Sequence, residues 1–175
     1  MINKTIVLVG LMGAGKTTIA RLLSQKLGVQ FVDSDKEIEK AAGCRVADIF
    51  DLYGEEAFRD VERRVISRLL KDSPHVLALG GGAFINFNTR QEISSKAISV
   101  WLKADLDVLL ARTSLRSHRP ILQNTDAQSM LSRLIVERYP IYSQADYIFH
   151  NNNYSKNQAV CDIISKLNLL PIEAN

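Results

Sequence analysis

The run Gly10-Leu-Met-Gly-Ala-Gly15-Lys16-Thr17-Thr18 constrains this chain more than any other feature. It follows the apolar stretch Thr5–Val9 without a gap and leads into Ile19, Leu22, Leu23 and Leu27, which recur at helical spacing. The order is strand, glycine-rich loop, helix. Gly-x-x-x-x-Gly-Lys-Thr is the spacing of a P-loop, in which backbone N–H groups turn inward around phosphates and the helix N-terminus adds positive potential. Gly13, Ala14, Gly15, Lys16, Thr17 and Thr18 are the expected contacts to a nucleoside triphosphate. Lys16 brings a point charge to the outer phosphates, and the Thr17 hydroxyl is suited to ligating Mg²⁺.

Apolar runs recur with helical patterns between them. Val29–Val32, Val76–Leu79, Ala97–Leu102 and Tyr147–Phe149 follow the first strand, so the chain reads as α/β, a parallel sheet covered by helices. With 175 residues, of which 46% are hydrophobic and 23% charged, it reads as a single domain able to bury a real core. The net charge of +3 and the lack of a basic run interleaved with aromatics give no support for nucleic acid as a partner. No apolar run approaches membrane-spanning length, and the first strand begins too early to leave room for a signal peptide. Cys44 and Cys161 are far apart and form no metal-ligand or disulfide pattern, which points to a reducing cytoplasm. Nothing resembles a coiled-coil seam, so a monomer is expected.

In parallel α/β sheets, ligands bind outside the carboxyl ends of the strands. Three strands here end in residues with chemistry. The first runs into the P-loop, the second into Asp33-Ser-Asp35, the third into Gly80-Gly81-Gly82. If the chain stays extended through Asp33 and Asp35, both side chains lean to one side. One carboxylate then serves the Mg²⁺ shell with Thr17, and the other takes the proton of an attacking hydroxyl. The competing reading is a helix cap, with Ser34 or Asp35 before Lys-Glu-Ile-Glu. The triple glycine is either a sharp turn or a second loop whose N–H groups lie open to a ligand. No acidic residue ends that strand, so the metal carboxylate falls to Asp33.

The longest helix candidate begins after Gly54, with Phe58, Val61, Val65 and Leu69 on one face and Arg59 at its rim. Arg112, Arg116 and Arg119 belong to a polar stretch at about residues 113–128 and the helix before it; a loop of this kind inside a compact domain reads as a lid. Arg138 precedes Tyr139-Pro140 near a helix end. Each arginine alone is an ordinary surface charge. Together they offer a cation for a transferring phosphoryl group and forks for an anionic acceptor. His75, His118 and His150 have no metal-like spacing.

Six segments, in order, resemble the shikimate kinase family. They are Gly10-Leu-Met-Gly-Ala-Gly-Lys-Thr-Thr-Ile19, Phe31-Val-Asp-Ser-Asp-Lys-Glu-Ile-Glu39, Gly54-Glu-Glu-Ala-Phe-Arg-Asp-Val-Glu62, Leu79-Gly-Gly-Gly-Ala83, Arg119-Pro-Ile-Leu122 and Glu137-Arg-Tyr-Pro-Ile-Tyr142. The resemblance extends over the whole chain. It implies ATP-dependent phosphorylation of the 3-hydroxyl of shikimate, a step of aromatic amino-acid biosynthesis, on a five-stranded parallel sheet of order 2-3-1-4-5. It further implies that Asp35 holds the shikimate hydroxyls and assists deprotonation. Arg59 and Arg138 would clamp the carboxylate, with the Gly80–Gly82 backbone beside it. Arg119 would reach the phosphates and the transition state, and Arg112 would flank the adenine opposite Tyr154. Tyr154 departs from the polar residues frequent in that loop, Thr17 stands where serine is frequent, and Ala20 where glycine is common.

Two other readings stay open on the residues alone. A gluconate- or nucleotide-kinase-like enzyme shares the loop, although two arginines beside a triple glycine suit a carboxylated polyol better than a nucleobase. A non-catalytic nucleotide-binding switch would need neither the acidic pair nor an arginine-bearing lid.

Overall fold

A computed structural model describes residues 2–114, 124–152 and 154–169. Five parallel strands form one sheet: β1 (Thr5–Val9), β2 (Phe31–Asp33), β3 (Val76–Ala78), β4 (Ala97–Lys103) and β5 (Tyr147–His150), in the order β2-β3-β1-β4-β5. This is the expected sheet. β1 is buried along its whole length, as a central strand covered on both faces must be. Its Ile6 sits opposite Val76 of β3 and Ile98 of β4, which fixes the register on either side.

Helices α1 (Lys16–Leu27), α2 (Ser34–Ala42), α3 (Val46–Leu69), α4 (Phe87–Lys96), α5 (Leu106–Ser114), α6 (Asn124–Tyr142) and α7 (Lys156–Lys166) fill the connections, with a short 3₁₀ turn at Ala83–Ile85. α1 packs on α7 and along β1, β2 and β3, while α4 lies along β4 and touches α3. Gly15 caps α1 with φ of 93°, a left-handed conformation that side chains resist, and this lets the loop turn straight into the helix.

Three local expectations differ from the structure. The helix that begins after Gly54 on sequence grounds is the second half of α3; the first half starts at Val46, and the two meet in a kink where Gly54 has φ 78° and ψ 176°. Phe50 and Phe58 close over that kink with ring centroids 4.4 Å apart, so apolar packing holds together what the backbone interrupts. The chain does not remain extended through Asp35, because α2 begins at Ser34. The cap is Asp33, whose side chain accepts from the Asp35 N–H, and not Ser34 or Asp35. Finally, both ends of the stretch expected as a lid at about 113–128 are helical, with Thr113 and Ser114 completing α5 and α6 beginning at Asn124. Arg116, His118 and Arg119 lie outside the described residues.

Candidate active site

The P-loop forms a wall of two clefts. One, of about 360 Å³, is lined by Gly13, Gly15, Thr18, Arg112, Asn151 and Tyr154 among others. The other, of about 290 Å³, is lined by Lys16, Thr17, Asp33, Asp35, Gly81 and Arg138, with Met12 and Leu79. Residues expected to meet a nucleotide base thus gather on one side of the loop. Of the residues expected to meet an acceptor, Asp35, Gly81 and Arg138 line the other, together with Lys16, Thr17 and Asp33, whereas Arg59, Gly80 and Gly82 are not in its lining.

In the second cleft, Lys16 Nζ donates to the carbonyls of Gly10 at 2.9 Å and Leu11 at 3.0 Å. The ammonium is held at the loop where outer phosphates would lie, and it exerts a lowering influence on the Asp35 pKa. Thr17 Oγ1 donates to Asp33 Oδ2 at 3.2 Å, which joins the end of β2 to the start of α1. Asp33 therefore does two jobs. One oxygen caps α2 and the other meets the P-loop threonine.

Asp35 is exposed at the mouth of its cleft as a residue, yet its carboxyl rests against the glycine loop. A Cβ on Gly80 would lie 2.7 Å from Asp35 Oδ1. Burial of that carboxyl pushes its pKa up, and the neighbouring Asp33 adds to the rise against the opposing charge of Lys16. A Cβ on Gly82 would fall 2.5 Å from an Arg59 guanidinium nitrogen. At these two positions only glycine lets charged side chains lie flush on the backbone. The triple glycine is thus a turn on which the side chains of Asp35 and Arg59 lie close, and the Gly80 N–H is not open, since it donates to Ser34 Oγ at 2.9 Å.

Arg59 is fixed from both sides. Nη1 donates to Glu62 at 2.7 Å, and Nε and Nη2 reach Glu55 at 3.3 and 3.2 Å. Arg138, on α6, donates from Nη1 to the Gly81 carbonyl at 3.1 Å. The two guanidinium groups approach the same glycine loop from different helices. In the first cleft, Arg112 donates to the Asn152 carbonyl at 3.3 Å, and its buried Nη1 has no hydrogen-bond partner among the described residues. Desolvation lowers its pKa. Tyr154 packs on Phe149, with ring centroids 5.3 Å apart.

The shikimate kinase family model matches residues 12–168, which takes in the site on both sides of the P-loop. The chain belongs to the shikimate kinase family. It is 52% identical to the shikimate kinase of Paramagnetospirillum magneticum over 87% of this chain and 78% of that one. It is 48% identical to that of Brucella canis over 94% and 82%. Among solved structures, the shikimate kinase of Acinetobacter baumannii in complex with shikimate superposes with a TM-score of 0.86 at 36% identity, covering 94% of this chain and 92% of that one. The enzyme from Bacteroides thetaiotaomicron gives 0.88 at 30%, over 95% and 99%.

Several residues that hold this site together take no role on sequence grounds, although Glu62 closes the Gly54–Glu62 segment. Glu62 is 3% exposed, grips Arg59 with one oxygen and leaves the other buried with no hydrogen-bond partner among the described residues. Its spacing of three from Arg59 on one helix was the available signal. Desolvation raises its pKa, and Arg59 opposes the rise. Asn151 is buried and donates to the Ala14 carbonyl at 2.8 Å, so the loop after β5 holds the P-loop from behind. Asn152 and Asp105 exchange hydrogen bonds at 2.9 and 2.7 Å, which sets the carbonyl that Arg112 uses. These last contacts join residues 47 or more apart, and no local pattern announces them.

Proposed function

We propose that the chain transfers the terminal phosphoryl group of ATP to the 3-hydroxyl of shikimate in aromatic amino-acid biosynthesis, with ATP in the Gly13–Tyr154 cleft and shikimate in the Asp35–Arg138 cleft. The observation that carries this arrangement is that one P-loop lines both clefts, with Gly13, Gly15 and Thr18 on a base-sized cleft and Lys16 and Thr17 on a cleft that also holds Asp33, Asp35 and the Arg138 fork. Arg59 and Arg138 bind the acceptor's carboxylate, because a guanidinium fork matches a carboxylate and both forks meet at Gly80–Gly82. Asp35 accepts the proton of the 3-hydroxyl as its oxygen attacks the γ-phosphorus and the bond to the β-phosphate oxygen breaks, leaving ADP. A carboxyl whose pKa stands above the usual range is a stronger base than an ordinary aspartate, provided the pH keeps it ionised.

The P-loop N–H groups and Lys16 hold the phosphates, Thr18 adds a hydroxyl beside them, and Arg112 and Tyr154 flank the adenine. Arg119, outside the described residues, brings a further cation to the transferring group from the segment between α5 and α6. Mg²⁺ fits the oxygen pair of Thr17 and Asp33, a hydroxyl and a carboxylate 3.2 Å apart. No cluster of three or more metal-ligating side chains exists among the described residues, so the ion would complete its shell with phosphates and water. It would neutralise charge on the β- and γ-oxygens. Among the described residues no helix is long and apolar enough to cross a membrane, and a cytoplasmic location suits the reaction.

Release of ADP by the purified protein with shikimate, gluconate or a nucleoside monophosphate as acceptor tests the reading. Turnover with shikimate alone is expected; turnover with either other acceptor at a comparable kcat/KM would overturn it.

A further inference from the structure

The Gly81 carbonyl accepts two donors, Nη1 of Arg138 at 3.1 Å and the hydroxyl of Tyr142. A carbonyl oxygen has two lone pairs, so this acceptor is fully used. Tyr142 is 0% exposed, and its ring packs on Phe84, Trp101 and Tyr139 with centroids 6.3, 5.9 and 6.4 Å away. An aromatic ring held on three sides makes a rigid post. Its hydroxyl aims at one peptide unit, Gly81–Gly82, which runs between the two arginines. Arg138 sits on the carbonyl side, and Arg59 lies against Gly82.

A peptide unit is planar, so fixing its carbonyl fixes the opposite N–H as well. With two glycines that plane has no side chain to hold it, and rotation about the flanking bonds is otherwise cheap. Neither the Gly81 nor the Gly82 N–H bonds to another described residue.

We infer that Tyr142 is a positioning residue for the acceptor's carboxylate: from the aromatic cluster it pins the Gly81 carbonyl, and through that carbonyl it sets both the Arg138 fork and the Gly82 N–H. Tyr142 touches neither substrate nor phosphate. It acts on one functional group of one substrate, so its removal separates carboxylate recognition from everything else the enzyme does. The inference rests on the proposed role of Arg138 as a carboxylate clamp.

The test compares Tyr142→Phe and Arg138→Ala with the wild type. Each is assayed with shikimate and titrated with shikimate and with its analogue carrying a hydroxymethyl group in place of the carboxylate. In Y142F, KM for shikimate is expected to rise about fivefold to tenfold, the effect of one hydrogen bond to a buried acceptor. Its kcat and KM for ATP stay within twofold, and affinity for the hydroxymethyl analogue is unchanged. Equal weakening toward shikimate and the analogue, or no weakening of either, overturns the inference. R138A is expected to discriminate between the two ligands more strongly still. If R138A discriminates and Y142F does not, the role of Tyr142 fails alone. If R138A does not discriminate, the clamp reading fails and takes the inference with it. A wild-type measurement keeps the question decidable if Y142F does not fold. The Tyr142 hydroxyl proton, followed by NMR, is expected to remain protected from exchange when shikimate saturates the site, and its loss on binding overturns the proposal.

Discussion

The two clefts on either side of the P-loop are built by different means. The nucleotide side is made chiefly of backbone, with loop N–H groups, a helix N-terminus and glycines at φ 80° and 93°. The acceptor side is made of charged side chains laid on backbone, where Asp35, Glu62 and Arg59 pack against Gly80 and Gly82. Backbone generates much the same potential for any anion that carries phosphates. Side chains held by one another, as Arg59 is by Glu62 and Glu55, discriminate one small acceptor from the next. Lys16 and Asp35 face the same space, and the proposed reaction places the catalytic step there.

The largest test of that division is Lys16→Ala. Turnover measured by ADP release should fall about a thousandfold, the scale for removing a preorganised charge from a transition state. Shikimate binding measured by calorimetry should persist. Loss of shikimate binding of the same size would mean that Lys16 holds the acceptor as well as the phosphates. Asp35→Asn should lower kcat by about a hundredfold, within the range for losing a general base, while the Kd for ATP stays as it is. An unchanged kcat would remove Asp35 from the chemistry and leave it as a wall of the cleft.

Gly82→Ala follows in size and probes the acceptor side without deleting a functional group. The new Cβ would sit 2.5 Å from Arg59, so the guanidinium must move off the loop. KM for shikimate should rise about tenfold, as expected for disturbing one charged hydrogen-bonded contact, with KM for ATP unaltered. A parallel rise in both would show that the two sides are not separable at this loop.

The same contrast explains what could be read before folding. The P-loop, the strand ends and the alternation of strands with helices lie in short contiguous segments, so local pattern reveals them. The order of the sheet came only through resemblance, because pairing of β1 with β3 joins residues some 70 positions apart and no local feature encodes it. Glu62 read as one more charge on a long helix, since its burial depends on how α3 packs over Gly80. The first half of α3 was missed although Val46, Ile49 and Phe50 repeat at helical spacing, because Gly54 reads as a helix boundary and in fact marks a kink. Asp33 lies beside Thr17, as its place at the end of β2 allows, but its second task as the cap of α2 reads on the sequence as that of its neighbours, which differ from it by one and two positions.

The smallest effect concerns what the acceptor side costs the fold. Asp35 has its pKa raised, first by burial of its carboxyl and then by Asp33. A carboxyl whose pKa is higher folded than unfolded binds more protons in the native state, so its ionisation works against folding. That cost is fully present above the folded pKa and disappears as pH falls below the ordinary value of 3.8. Asp35→Asn removes the charge and with it the cost. The variant should therefore melt above the wild type at neutral pH, and the gap should close as pH is lowered through the folded pKa. Water reaches Asp35 at the cleft mouth and screens the effect, so the gain is about 1 °C. Differential scanning calorimetry of both proteins from neutral pH down to the ordinary carboxylate range measures it. A gap that stays constant across that range would assign the stabilisation to the amide's own contacts, and the acceptor side would then carry its charge at no expense to the fold.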